Sequence, residues 1–129
     1  MNIIELQTAL TTFLKTKCAR SYYRKSPPNA TYPYIVYDFP NSLEKYLRED
    51  LVLEIDLWDN SNLTETIDTL VGDIDGDGDI RAPTGLHRKM FYEDGVLCAK
   101  LYRENRLSIT DEDPRIEHRQ LKYIVQTYL

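Results

Sequence analysis

A stretch of ten residues, DLVLEIDLWD at positions 50–59, constrains the fold more than any other part of this chain. The side chains predicted for one face of a strand are all apolar: Leu51, Leu53, Ile55 and Leu57. Those predicted for the other face are mixed: Val52, Glu54, Asp56 and Trp58. A period of two residues is typical of a β-strand that buries only one of its faces. The sequence therefore predicts a sheet with one face packed on a core.

Two amphipathic helices are predicted to supply that core. In residues 3–16 the apolar side chains recur at helical spacing: Ile3, Leu6, Leu10, Phe13 and Leu14. A second helix is predicted to begin at Asn62, where Asn62 and Glu65 resemble a capping pair. Its apolar stripe is expected to comprise Leu63, Ile67, Leu70, Val71 and Ile74. Each stripe covers one side of a helix, as in helices that pack on a sheet.

Further strands are indicated on both sides of residues 50–59. SPPNATYP at 26–33 predicts a loop, and YPYIVYDF at 32–39 predicts a strand rich in aromatic and β-branched residues. Residues 90–103 predict a hairpin around Asp94-Gly95, and residues 118–129 predict a closing strand. Short connections of this kind predict an α+β fold, with a mostly antiparallel sheet and two amphipathic helices on one face.

Composition favours one domain spanning residues 1–129. The chain is 42% hydrophobic, which is enough to bury a core without disulfides or metals. It has no long apolar run, so we expect no membrane span, and MNIIELQTAL lacks the basic start of a secretory signal. Cys18 and Cys98 lie far apart in sequence, and the expected cytoplasmic setting favours free thiols. Neither belongs to a CxxC pair, so a zinc site is poorly supported.

The sequence DIDGDGDIRAPT, residues 73–84, resembles the start of an EF-hand loop, with Asp73, Asp75 and Asp77 as weak candidates for binding Ca or Mg. Against this, the last position of such a loop is Thr84, where an EF-hand requires a bidentate glutamate. Alternating Asp and Gly also suits a turn after a helix. We therefore favour a turn and predict no cofactor.

No pattern of catalytic residues accompanies this loop. His87 and His118 lie far apart, and neither belongs to an HxxxH pattern, so we expect no enzyme. RSYYRK, residues 20–25, interleaves basic and aromatic residues as some single-strand-binding proteins do. The net charge of −5 argues against that role, and we expect no sequence-specific nucleic acid as a partner.

The order of these segments resembles a known family. The N-terminal helix, YPYIVYDF, LVLEIDLWDNS leading into a helix, and RIEHRQLKYIVQTYL are together similar to the tail completion proteins of long-tailed bacteriophages and prophages. The family is also known as tail terminators or tail-to-head joining proteins. This resemblance spans nearly the whole chain and rests on patterned strands rather than on a catalytic signature.

The resemblance implies a small virion protein, assembled in the cytoplasm of a bacterial host. Copies of it would form a homo-oligomeric ring, a hexamer by analogy, on the tail tube protein. The ring would stop tube polymerisation and present a surface to the head-tail connector protein. The alternatives are a head-side connector or neck protein and, from another class, a calcium-responsive binding module built on residues 73–84.

The charge distribution suggests which residues meet other subunits. Residues 50–80 carry 10 acidic and no basic side chains, whereas both flanks are mildly basic. Unlike surfaces of this kind suit neighbouring copies in a ring. The expected subunit or tube interface comprises Arg20, Tyr22, Arg24, Lys25, Glu54, Asp56 and Trp58. Alternatively, Glu54 and Asp56 line the bore and repel DNA.

Overall fold

A computed structural model describes residues 3–45, 48–60 and 64–128. In chain order its elements are α1 (Ile3–Lys17), β1 (Ser21–Tyr23), β2 (Tyr34–Lys45), β3 (Arg48–Asp59), α2 (Thr64–Asp75), β4 (Met90–Glu93), β5 (Leu97–Thr110) and β6 (Glu117–Tyr128). The strands form one six-stranded sheet in the order β1-β2-β3-β6-β5-β4. Only β1 and β2 pair in parallel, and all other neighbours are antiparallel. The predicted α+β class is confirmed.

The core lies between the helices and one face of the sheet. On β3 the predicted alternation is confirmed, because the side chains of Leu51, Leu53, Ile55 and Leu57 are all buried. Buried side chains from α1 and α2 pack on the same cluster: Leu6, Leu10, Leu14, Ile67, Leu70, Val71 and Ile74. Since the helices cover only this face, the opposite face of the sheet, here called the helix-free face, carries no helix among the described residues.

The first helix spans the sheet from one side to the other. Thr11 hydrogen-bonds the hydroxyl of Tyr37 on β2, which also donates to the carbonyl oxygen of Gln7 at 3.1 Å. Phe13, two positions after Thr11 on the helix, packs edge to face on Phe91 of β4, with ring centroids 6.4 Å apart. The sheet is therefore curled around α1.

Some elements differ in extent from the predictions. The strand β1 was not predicted, and β2 continues through Pro40 by means of a bulge between Asp38 and Asn41. Strand β5 runs on to Thr110 after a second bulge between Arg103 and Asn105.

Three predicted residues lie outside the described ones: Asn62 and Leu63 of the second helix, and Leu129 of the closing strand. Within the described ranges, neither helix combines the length and apolar character needed to cross a lipid bilayer.

Candidate functional site

A row of four neighbouring rings, of which Tyr34, Trp58 and His118 are stacked, lies at one end of the helix-free face. The ring centroids of Tyr32 and Tyr34 are 5.4 Å apart, those of Tyr34 and Trp58 are 5.1 Å apart, and those of Trp58 and His118 are 4.4 Å apart. Strand register explains the row, because Trp58 lies opposite both Tyr34 and His118. Burial raises the pKa of Tyr34, and the neighbouring Tyr32 and Asp111 raise it further. Such a row offers a large, rigid aromatic surface with polar edges, which suits a protein interface.

The acidic residues of β3 lie beside this row and have local partners. An oxygen of Asp56 is 2.8 Å from Nε2 of His118, and it accepts a hydrogen bond of 3.1 Å from the side-chain amide of Gln120. Glu54 lies opposite Lys122 on β6, at the distance of a cross-strand neighbour. The helix-free face is therefore mixed in charge around Trp58, and it is not uniformly acidic.

Two residues of the RSYYRK segment join the same face. Tyr22 lies opposite Val36 in the parallel β1–β2 pairing, which directs its side chain to the helix-free side. Arg24 follows β1, and its Nε is 3.7 Å from a carboxylate oxygen of Asp38. The Arg24 side chain is 67% exposed and that of Asp38 is 39% exposed, so the ion pair is accessible to a partner and contributes little to folding.

The other two basic residues of the segment are placed differently. Arg20 donates from Nε to the carbonyl oxygen of Pro33 at 2.9 Å and from a terminal nitrogen to that of Tyr32 at 3.3 Å. It therefore holds the loop before β2 in place. Lys25 is exposed just beyond β1. The predicted interface residues thus gather around the helix-free face, with Arg20 in a supporting position at its margin.

The carboxylate of Asp75 faces the interior and is fully engaged there. It accepts hydrogen bonds from the hydroxyl of Tyr123 at 2.6 Å, from Arg103, and from Arg106 at 3.4 Å. Burial raises the pKa of Tyr123, and its bond to Asp75 raises it further. The arginines neutralise the carboxylate, and a buried charge is tolerated only with such partners. No local sequence signal indicated this network, because its members lie on α2, β5 and β6.

The remaining aspartates of the loop also lack an arrangement for a cation. One oxygen of Asp77 accepts from the backbone N–H of Asp79 at 3.0 Å and from that of Thr84 at 3.1 Å. These bonds lower the pKa of Asp77. Asp73 points outward from α2 and is exposed. Among the residues that the structure describes, no group of three His, Cys, Asp or Glu side chains could hold a metal ion.

The path of the loop explains this use of the aspartates. Gly76 has φ +77, and a side chain there would collide with the backbone of Gly85. The returning chain is fixed by hydrogen bonds of 2.7 Å from the N–H of Leu86 to the carbonyl oxygen of Ile74 and of 3.0 Å from the N–H of His87 to that of Asp75. The glycines and aspartates therefore close a tight loop upon the end of α2.

No protein-family model and no curated protein matches this chain. Among solved structures, the fold is similar to a chain of the "Virion of native gene transfer agent (GTA) particle". The TM-score is 0.63, the sequences are 12% identical, and the match covers 98% of this chain and 92% of that chain. At this identity the likeness shows a common fold along almost the full length of both chains.

Proposed function

We propose that this chain is a structural protein of a phage-like virion. The observation that carries the proposal is the fold shared with a chain of a gene transfer agent virion, which extends over 98% of this chain. The match also covers 92% of that chain, so the two folds correspond along almost the full length of both. The resemblance of the strand and helix order to tail completion proteins supports the same role.

Within the virion, we propose that it acts as a tail terminator. Copies of the chain form a ring, expected to be a hexamer, that caps the tail tube, ends its polymerisation and joins the tail to the head. A ring of this kind needs surfaces for neighbours and for the tube. Trp58 and Tyr34 on the helix-free face, with the exposed ion pair of Arg24 and Asp38, supply a partly apolar and partly charged surface for the tube.

The experiment combines purified chain with purified tail tube protein from the same phage or prophage. Light scattering after size-exclusion chromatography is expected to give a multiple of 15.1 kDa, alone or on mixing. Electron microscopy is expected to show tubes that stop growing with a ring on one end. A chain that stays monomeric and leaves tube growth unchanged would contradict the proposal.

Two matched variants test the tube surface. Trp58→Ala removes the central ring of the stack and is expected to weaken binding to the tube. Tyr92→Ala removes an aromatic side chain that is 65% exposed on β4, away from the stack, and is expected to bind like the original chain. Equal loss in both variants would argue against the helix-free face as the tube surface.

A head-side connector or neck protein is the alternative role in the same virion. It predicts binding to the head connector protein without any effect on tube growth, so the same mixtures distinguish the two roles.

A further inference from the structure

The sheet has two outer strands that are covered along only part of their length. Strand β1 pairs with residues 35–37 of β2, and β4 pairs with residues 97–100 of β5. Beyond these pairs, no described strand covers residues 40–45 of β2, here called the β2 open edge, or residues 104–110 of β5, here called the β5 open edge.

The two open edges lie at diagonally opposite corners of the sheet. β2 ends beside the start of β3 and the end of β6, whereas β5 ends beside the start of β6. The covered corners are those that α1 contacts, through Tyr37 and Phe91. In a twisted sheet, when one diagonal pair of corners bends toward one face, the other pair bends away from it. The open edges therefore project away from α1.

Backbone hydrogen bonds show which groups of β5 point outward. Leu101 accepts from the N–H of Arg88 at 2.7 Å and donates to Lys89 at 2.9 Å, so its backbone faces away from β6. The N–H of Arg103 points the same way and is held by Nδ1 of His87 at 3.0 Å.

Beyond the bulge, the residues of β5 whose backbone N–H and C=O groups point away from β6 are shifted by one position. Arg106 is the first outward residue beyond it, and its N–H is held at 2.8 Å by the side chain of Asn105. In an antiparallel ladder every second residue turns its N–H and C=O to the same side. Ser108 and Thr110 thus follow Arg106 in presenting backbone groups at the β5 open edge.

The β2 open edge presents fewer such groups. The N–H of Ile35 donates to the carbonyl oxygen of Arg20, and the carbonyl oxygen of Tyr37 accepts from the N–H of Arg24. These bonds to the two residues that flank β1 show which residues point outward before the bulge. After the bulge the outward residues are Pro40, Ser42 and Glu44. Pro40 has no N–H, a common protection at a sheet edge, so pairing is confined to the residues that follow it.

Exposed side chains at the two edges match each other. Leu43 is 59% exposed and Leu107 is 40% exposed, and the strand register places both on the helix-free side. On the helix side, Glu44 lies on the β2 open edge. Arg106, whose side chain is 50% exposed and also contacts Asp75 at 3.4 Å, lies on the β5 open edge. Each edge therefore carries an apolar residue on one side and a charge on the other, and the two charges are opposite.

We propose that the β5 open edge of one subunit pairs, antiparallel, with the β2 open edge of the next. This proposal rests on the ring described above and names the contact that builds it. The strands already run in the required directions, because β2 and β5 are antiparallel within the sheet. One register brings together the outward-facing residues, the apolar side chains and the opposite charges. It places opposite one another Ser42 and Ser108, Leu43 and Leu107, and Glu44 and Arg106.

Pairing of like edges fits these residues less well. Neither two β2 edges nor two β5 edges related by a two-fold axis would place Glu44 opposite Arg106. Each such dimer would also leave the other edge of both subunits uncovered. Pairing of unlike edges repeats from subunit to subunit, and when the ring closes no open edge remains.

Chemical cross-linking tests both the contact and its register. In a Cys98→Ser background, which leaves only the buried Cys18, the double variant Ser42→Cys, Ser108→Cys is treated with a short bismaleimide. We expect a ladder of covalent species that ends at the size of the ring. The single variants Ser42→Cys and Ser108→Cys are expected to stay uncoupled. A matched control pairs Ser42→Cys with Thr12→Cys on an exposed position of α1, and is expected to give no ladder.

The outcomes separate this contact from the ring itself. A ring by light scattering without the ladder overturns the edge pairing and leaves the terminator proposal standing. Dimers from Ser42→Cys or Ser108→Cys alone overturn it in favour of a two-fold contact. A chain that is monomeric with and without tail tube protein overturns the ring and the edge pairing together.

Discussion

The two halves of β5 differ in how far their side chains are buried and their backbone groups are hydrogen-bonded within the single chain. Between Leu97 and Leu101 every second side chain is buried, and from Ala99 to Leu101 the backbone has neighbours on both sides. Beyond the bulge the strand is almost entirely exposed, and only β6 pairs with it among the described residues. The first half contributes to folding of the single chain. The second half has unused backbone groups and apolar surface, which fits a strand that a neighbouring copy completes.

The largest effect is expected in the first half. Leu101 is completely buried, and Leu101→Ala would leave a cavity in the core. We expect a loss of about 2–5 kcal/mol in the free energy of unfolding, from lost apolar transfer and from the cavity. Urea denaturation followed by circular dichroism measures it. A loss well under 1 kcal/mol would mean that the first half is not part of the cooperative core.

The next effect is expected at the bulge, where Arg103 and Tyr123 meet Asp75. Tyr123→Phe removes the 2.6 Å hydrogen bond to the carboxylate and keeps the ring. A hydrogen bond to a charged group contributes about 1.5–3 kcal/mol, so we expect a loss of that order by urea denaturation. Tyr102→Phe on the same sheet provides the control, with little change expected, because Tyr102 is only half-buried on the helix-free face.

The same variant has a predicted pH dependence. Burial and the hydrogen bond to Asp75 raise the pKa of Tyr123 in the folded chain above the ordinary value for tyrosine, which is about 10. A raised pKa means that folding favours the neutral phenol, so this stabilisation is complete below about pH 10 and declines as pH rises above it. Tyr123→Phe should therefore lose less stability than the original chain between neutral and strongly alkaline pH. Equal losses would show that the network around Asp75 does not depend on the phenol proton.

The contrast within β5 also explains which parts of the fold were predictable from sequence. Residues 50–59 sit in the middle of the sheet with one face on the core, so burial imposes a period of two on the sequence. Residues 104–110 have no buried face and therefore no such period. The three residues of β1 form a strand only because β2 lies beside them. Pro40 indicated a strand end, yet it is accommodated at a bulge on an open edge.

The candidate site was predictable in the same uneven way. The alternation on β3 placed Glu54, Asp56 and Trp58 on one face from sequence alone. It could not show that Tyr34 and His118 would stack on Trp58, since both come from neighbouring strands. The aspartate spacing in residues 73–77 resembled a cation site, although a turn was the favoured interpretation. Whether a carboxylate faces an ion or the core depends on distant residues that no local pattern reveals.

The smallest effect on folding, and the sharpest test of the comparison, is expected in the second half of β5. Leu107→Ala removes the same number of atoms as Leu101→Ala, but from a side chain that is 40% exposed. For the single chain we expect a change within about 0.5 kcal/mol, as for most surface substitutions. Ring assembly, in contrast, should be clearly weakened, because Leu107 is proposed to pack on Leu43 of the next subunit. Light scattering over a concentration series is expected to show the ring dissociating at higher concentration than that of the original chain.

A double-mutant cycle with Leu43→Ala makes this test specific. If the two leucines contact each other, the second substitution should cost the ring much less once the first has been made. Independent, additive losses would mean that both residues meet other surfaces. A large loss of unfolding free energy in Leu107→Ala would show that the second half of β5 is also part of the single-chain core, and the difference between the halves would disappear.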